Sequence, residues 1–415
     1  MNPRCSRPWS RLIPNSCLLL LAVARISLTQ MPPFGETRLA VRQTDAHPIE
    51  RLGQMTGHGH RLFVDELARF AAGRADPRVT AITERAGAPL RVAVRGRRGV
   101  GCRTVAHALN LAGAGCGIAA TAGTPAGADV VVYVTAEVIK PEDAEAVAAA
   151  GRPVLAVLNK ADLAGSLSGR GGDGPIAAAR QRCARLAALL GHPIEPMIGL
   201  FAVAALDGLD DELWAALRVL AADPAGAGCL DGSFAGFLAA ENPVPTAVRL
   251  RLLDTLDLFG TALGIAAARR GRTPAQARAL LRRLSGVDAV LDKVAVIGAQ
   301  VRYQRVLRAV AELEALAVAA GPDGEAISNF LASDDAVVAR MAAAVDLAEA
   351  AWHDPGADVP DDPAAQLPRA VRWQRYSLGR LGPVSDLQRA CGADIARGSL
   401  RLWSQACGPL PGEPR

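Results

Sequence analysis

With 415 residues the chain is long enough for two or three domains. Half of its residues are apolar and 4% are aromatic, so a sizeable core is available, and the abundance of Ala, Leu and Arg tilts that core toward helix. The net charge of +5 is spread along the chain without a basic block, which argues only weakly for nucleic acid or anionic lipid, and no nucleic-acid partner is expected. Eight cysteines form no C-x-x-C pair and read as free thiols in a reducing compartment, with no spacing suited to zinc.

At the N-terminus Arg4, Arg7 and Arg11 precede SCLLLLAVA, and Ala22-Val23-Ala24 has the small-residue pattern of a cleavage site. The apolar stretch is too short to span a membrane, and Met31 offers a second start. Residues 1–47 are therefore read as a disordered leader or a mis-assigned start of a cytoplasmic protein, with export the minor reading. Residues 48–87 are expected to form a helical segment. In it RLFVDELARFAAG (61–73) is an amphipathic helix and 76–86 a second, packing beside the first strand. His58 and His60 flank a glycine with no carboxylate or cysteine nearby and read as loop residues.

An α/β region is expected over 88–225. RVAVR (91–95) reads as a strand, GRRGVGCRT follows, and VAHALNLA is helical. Against G-x-x-x-x-G-K-[ST], Gly96 and Gly101 take the glycine positions, Cys102 the lysine and Arg103 the metal-binding hydroxyl, with Thr104 one place late. Gly96, Gly99 and Gly101 still permit a tight turn whose N–H groups, with the helix N-terminus, attract phosphate. The phosphate-binding candidates are thus Gly96, Gly99, Gly101, Cys102, Arg103 and Thr104; the alternative is a glycine-rich turn that binds nothing. A thiol at a helix N-terminus beside arginines is expected to have a lowered pKa, although simple loss of the lysine is the plainer account of Cys102.

Downstream, Asp129 precedes the strand VVVYV, Pro141 opens a helix with Glu142 and Asp143 behind it, and Gly151 closes that helix. The run VLAVLNKADL (154–163) then ends an apolar strand in Asn-Lys-x-Asp. A carboxylate at Asp162 can accept hydrogen bonds from guanine N1 and N2, which adenine cannot supply. Lys160 would lay its stem along the base, and Asn159 would tie this turn to the glycine loop. Asn159, Lys160 and Asp162 are the guanine-binding candidates. A strand followed by an ordinary polar turn is the competing reading. Against it, the chain has only three lysines, Lys140, Lys160 and Lys293.

Over roughly residues 88–222 the chain resembles the dynamin-like and related P-loop GTPases of actinobacteria. The likeness rests on these two motifs and on the passage from ADVVVYV to NKADL. It implies a P-loop GTPase-like α/β domain, a mostly parallel sheet with flanking helices, taking GTP or GDP, and it leaves magnesium open. The family presents a Ser-Ala backbone after its last strand; Ile198, Gly199 and Leu200 stand near that place here, without those letters. The segment GAGCGIAATAGTPAGAD is too short for the family's switch loop, two strands and Asp-x-x-Gly turn. With the lysine and metal-binding hydroxyl also displaced, efficient hydrolysis is not expected, and no catalytic or metal-binding residue is assigned.

After a linker at 226–240, an all-α bundle is expected over 241–410. Pro243 and Pro245 open one helix, Thr273-Pro274 caps a second, and a third keeps three-and-four spacing from Val287 through Leu316. Ser333 starts another helix. HDPGADVPDDPAA is a loop, and two terminal helices follow it, with Trp373, Tyr376 and Trp403 as packing residues. Gly260 and Gly264 suit close helix packing in a soluble bundle. In the family the helical part mediates self-association and membrane contact; membrane contact is kept here only as the minor reading. Two readings follow: a guanine-nucleotide-binding regulator with little intrinsic hydrolysis, or a nucleotide-free pseudo-GTPase serving as interaction subunit of a competent GTPase partner.

Overall fold

The computed structural model describes residues 59–74, 76–123, 127–164, 175–223, 233–352 and 362–407. The expected leader, His58, the start of the linker and most of the 353–365 loop lie outside the described residues. The elements in chain order begin with helices α1 (Gly59–Ala72) and α2 (Pro77–Gly87), strand β1 (Leu90–Gly96), α3 (Cys102–Gly113), β2 (Ile118–Ala122), β3 (Val130–Thr135) and α4 (Pro141–Ala148). Next come β4 (Val154–Leu158), α5 (Pro175–Leu190), β5 (Ile194–Pro196), α6 (Gly199–Val203), α7 (Asp211–Ala222), α8 (Phe234–Ala239), α9 (Thr246–Arg269) and α10 (Pro274–Ser285). The last helices are α11 (Val287–Ala320), α12 (Glu325–Ala332), α13 (Asp334–Trp352), α14 (Gln366–Ser377) and α15 (Asp386–Cys407).

The five strands form one parallel sheet in the order β2-β1-β3-β4-β5. Register pairs Val94 with Val132, Tyr133 with Ala156, and Ala156 with Ile194. All six residues of β3 are buried, as a central strand covered on both faces requires, and its β-branched run suits that place. Between α3 and β3 only one strand occurs among the described residues. Where α4 begins, Pro141 takes a first-turn position and the Asp143 carboxylate accepts from the Lys140 N–H at 2.8 Å, satisfying an otherwise orphaned donor.

The described residues separate into two units, one running from Val92–Leu291 and the other combining residues 59–91 with those from Asp292 onward. This grouping differs from the expected boundary near 240. Helices α9 and α10 share a core with α6 and α7, through Leu252, Leu256, Phe259 and Leu263 against Phe201, Leu213 and Leu217. On α9, a Cβ at Gly260 would stand 2.7 Å from Phe201 and one at Gly264 2.7 Å from Leu217. The close approach that Gly-x-x-x-Gly permits is therefore made to the α/β unit.

In the second unit Phe63, Leu67, Val79 and Ile82 share a core with Tyr303, Leu313, Val345 and Ile395. Thus α1 and α2 share the core of the C-terminal helices in this unit. An amphipathic pattern shows that a face is buried but not what covers it. His60 is also placed differently from expectation: it lies in α1, 9% exposed, with Nε2 3.0 Å from the Ala86 carbonyl. Among the described residues no helix is long and apolar enough to cross a membrane.

Candidate functional site

Because the sheet is parallel, the loops after β1, β3, β4 and β5 emerge at the same end. The glycine loop after β1 has Gly96, Gly99 and Gly101 at φ +157°, +87° and +92°, values that L side chains resist. At Gly101 there is a second reason: a Cβ would stand 2.4 Å from the Asn159 amide nitrogen. Gly101 then caps α3, whose N-terminus opens at Cys102.

Asn159 closes the arrangement. Buried at the end of β4, it donates from Nδ2 to the Val100 carbonyl at 2.9 Å and accepts at Oδ1 from the Gly199 N–H at 2.9 Å. One side chain thus joins the glycine loop, the Asn-Lys-x-Asp turn and the start of α6. The Ala161 N–H also donates to the Met197 carbonyl, so the residues after β5 lie beside the turn. Thr104 faces the same junction, its methyl 3.5 Å from the position of a Gly199 Cβ.

Asp162 lies in a short 3-10 turn, Ala161–Ala164, and is 7% exposed. Burial pushes its carboxyl above the usual carboxylate range, and the nearby Asp257 charge adds to the rise while Lys160 opposes it. A buried acceptor held at a desolvation cost is a group that gains from donors supplied by a ligand. Lys160 itself is exposed and left-handed, at φ +56°. Among the described residues only two other non-glycine positions have positive φ, Glu137 in the loop after β3 and Asp257 within α9. Such conformations cost on the order of 1–3 kcal/mol each and gather at functional sites. Here one follows β3, one follows β4, and one acts electrostatically on Asp162.

The strand order reverses between β1 and β3, where open α/β sheets bind ligands. At that crevice Arg97 is engaged: its Nε donates to the Asp143 carboxylate at 2.9 and 3.1 Å and its Nη2 to the Val138 carbonyl at 3.1 Å. The Tyr133 hydroxyl donates to the same carboxylate at 2.9 Å. Burial alone would raise the Asp143 pKa, but the Lys140 N–H, Arg97 and Tyr133 together hold it below its ordinary value. Burial and the Asp143 charge push the Tyr133 phenol up to about 12. Arg97 therefore bridges the crevice and neutralises a protein carboxylate there.

Cys102 corrects an expectation. Its thiol packs inside the loop, 3.0 Å from the position of a Gly96 Cβ, and burial raises its pKa; the helix N-terminus does not overcome desolvation there. Arg103 is exposed. The structure thus brings Gly96, Gly99, Gly101, Cys102, Thr104, Asn159 and Asp162 to one end of the sheet, with Arg103 turned to solvent. Sequence reading missed Asp143 as the partner of Arg97 and took Asp257 only as an acid interrupting an apolar run, not as a neighbour of Asp162. Asp143 was legible only as a helix-capping acid. Among the described residues no group of three or more His, Cys, Asp or Glu side chains is arranged to hold a metal ion. Comparison with protein-family models, with curated proteins and with solved structures finds no match to this chain.

Proposed function

We propose that the Val92–Leu291 unit binds guanine nucleotide and hydrolyses it slowly or not at all, as a degenerate form of the dynamin-like P-loop GTPases. The observation that carries this reading is the Asn159 tether, which fixes a glycine loop and an Asn-Lys-x-Asp turn side by side at the carboxyl end of a parallel sheet. The purine side fits its ligand: Asp162 is a buried acceptor for guanine N1 and N2, and Lys160 offers an aliphatic stem for the base. On the phosphate side the loop N–H groups and the α3 N-terminus remain. The cation does not, because Cys102 holds the lysine position and Arg97 is spent on Asp143. Arg103 holds the place of the magnesium-binding hydroxyl, so the residues present suit a weakly held diphosphate better than a metal-assisted transfer.

The test is equilibrium binding of a fluorescent GDP analogue and its adenine counterpart. The reading expects preference for guanine, loss of that preference in Asp162→Ala, and tighter binding in Cys102→Lys. Equal affinity for the two bases in the wild type contradicts it.

One observation favours the second reading, a nucleotide-free interaction subunit of a competent GTPase: the Arg97–Asp143 ion pair already closes the switch-point crevice. On that reading Arg97→Ala leaves nucleotide binding absent, and a GTPase co-purifies with the chain from its own cells.

A further inference from the structure

In the second unit α14 carries two apolar stripes, and the fold uses one of them. On its inner side Ala370 and Trp373 are buried, Trp373 in the core that holds Ile395 and Leu402. On its outer side Leu367, Val371 and, at the C-cap, Leu378 stand 38%, 53% and 53% exposed. Their spacing by four and then seven positions aligns them as one ridge along the helix. We propose that this ridge, with the arginines beside it, docks an acidic amphipathic helix of a protein partner. The inference is independent of the guanine-nucleotide reading.

The charge beside the ridge selects the partner. From Gln366 through Ser385 the sequence holds no Asp or Glu. Arg375 lies one turn beyond Val371 on the same side, and Arg380 lies in the turn after the helix. Both are exposed, and among the described residues neither is paired with a carboxylate. Two other arginines of the helix are engaged: Arg372 stands over the Trp373 ring at 6.0 Å, and buried Arg369 donates from Nη1 to the Ser399 hydroxyl at 2.7 Å. The outer charge thus rests on Arg375 and Arg380. Carboxylates on a partner would steer its approach to them and fix its register, while leucines facing the ridge would bury apolar area.

The geometry also selects a helix. A ridge at helical spacing packs into the groove of another helix, and α14 has no open strand edge to which an extended peptide could add. A second copy of this chain would set the same arginines against one another, which like-charge contact disfavours. A lipid surface is met by helices whose aromatic and aliphatic side chains share the outer face, whereas the Trp373 ring of α14 is 3% exposed.

The experiment uses the full chain and a fluorescent synthetic peptide of about 18 residues, long enough as a helix to span α14. It carries leucines at three-and-four spacing, glutamates beside them and alanines elsewhere; a counterpart has lysines in place of the glutamates. Anisotropy titration at low salt should show the glutamate peptide binding more tightly than the lysine one. Val371→Ser with Leu378→Ser should weaken it by about tenfold or more, and Arg375→Glu with Arg380→Glu should reverse the preference between the peptides. Failure of the glutamate peptide to bind, equal or tighter binding of the lysine peptide, or binding that either double variant leaves unchanged overturns the proposal. It is overturned equally if the glutamate peptide fails while these variants abolish co-sedimentation with phosphatidylglycerol vesicles, or self-association in analytical ultracentrifugation. Should a double variant lose its helical circular dichroism, the single variants Leu378→Ser and Arg380→Glu, at and beyond the end of α14, decide by the same criteria.

Discussion

Asn159→Ala is the substitution whose cost follows most directly from the geometry. The wild-type side chain satisfies the Val100 carbonyl and the Gly199 N–H, both in buried residues, at 2.9 Å each. Truncation leaves both without this partner, and a buried polar group so stranded costs about 1–3 kcal/mol. Water entering the vacated space would recover part of that, so a loss of about 2–4 kcal/mol is expected in the first unit. Asn159→Asp keeps an acceptor for Gly199 but sets a buried carboxylate oxygen against the Val100 carbonyl, and should cost at least as much as the alanine. The assay is hydrogen exchange across a urea series, read on peptides spanning β1 and β4, which isolates this unit from the other. A loss below about 1 kcal/mol for both variants would show that the tether does not hold these loops.

Further outcomes follow from the same structure. Lys160→Gly removes a left-handed strain at φ +56° and should raise the stability of the first unit by up to about 1 kcal/mol, while weakening GDP binding; an unchanged or lower stability in the exchange assay counts against strain at this turn. Arg97→Ala opens the switch-point crevice but strands the Asp143 carboxylate, which is 1% exposed, so it should destabilise the unit; a neutral effect in urea denaturation contradicts a closed ion pair. In the second unit, His60 has its pKa lowered from 6.5 to about 4, chiefly by burial and then by Arg302. The unfolded chain binds the proton more readily, so this contribution is complete above pH 6.5 and is lost as the pH falls toward 4. It amounts to about 3 kcal/mol. Urea midpoints measured across that window should fall for the wild type and fall less for His60→Gln; parallel curves would refute the assignment.

Much of the site was legible because it is local. The runs RVAVR, VVVYV and VLAVL are β-branched and short, and each lies in a parallel strand. The Asn-Lys-x-Asp turn and the glycine loop were readable from spacing, and so was the Asn159 tether between them. Long-range pairings were not. Nothing near Arg97 marks Asp143 as its partner, and nothing in LLDTLDLFG announces that Asp257 interrupts α9 with φ +59°. The partition was equally hidden: the apolar stripes of α1 and α9 each signal burial, yet one is covered by C-terminal helices and the other by the α/β unit. The expected lowering of the Cys102 pKa failed for the related reason that burial is a tertiary property.

The most direct measurement of the central claim is a calorimetric titration of the full chain with GDP and with inosine diphosphate, with and without magnesium. Hypoxanthine keeps N1–H and lacks the 2-amino group, so Asp162 loses one hydrogen bond to a charged acceptor, worth about 1.5–3 kcal/mol. The account predicts that inosine diphosphate binds at least tenfold more weakly than GDP, that magnesium changes neither affinity much, and that Asp162→Ala abolishes the difference. Equal affinities for the two diphosphates in the wild type would contradict it.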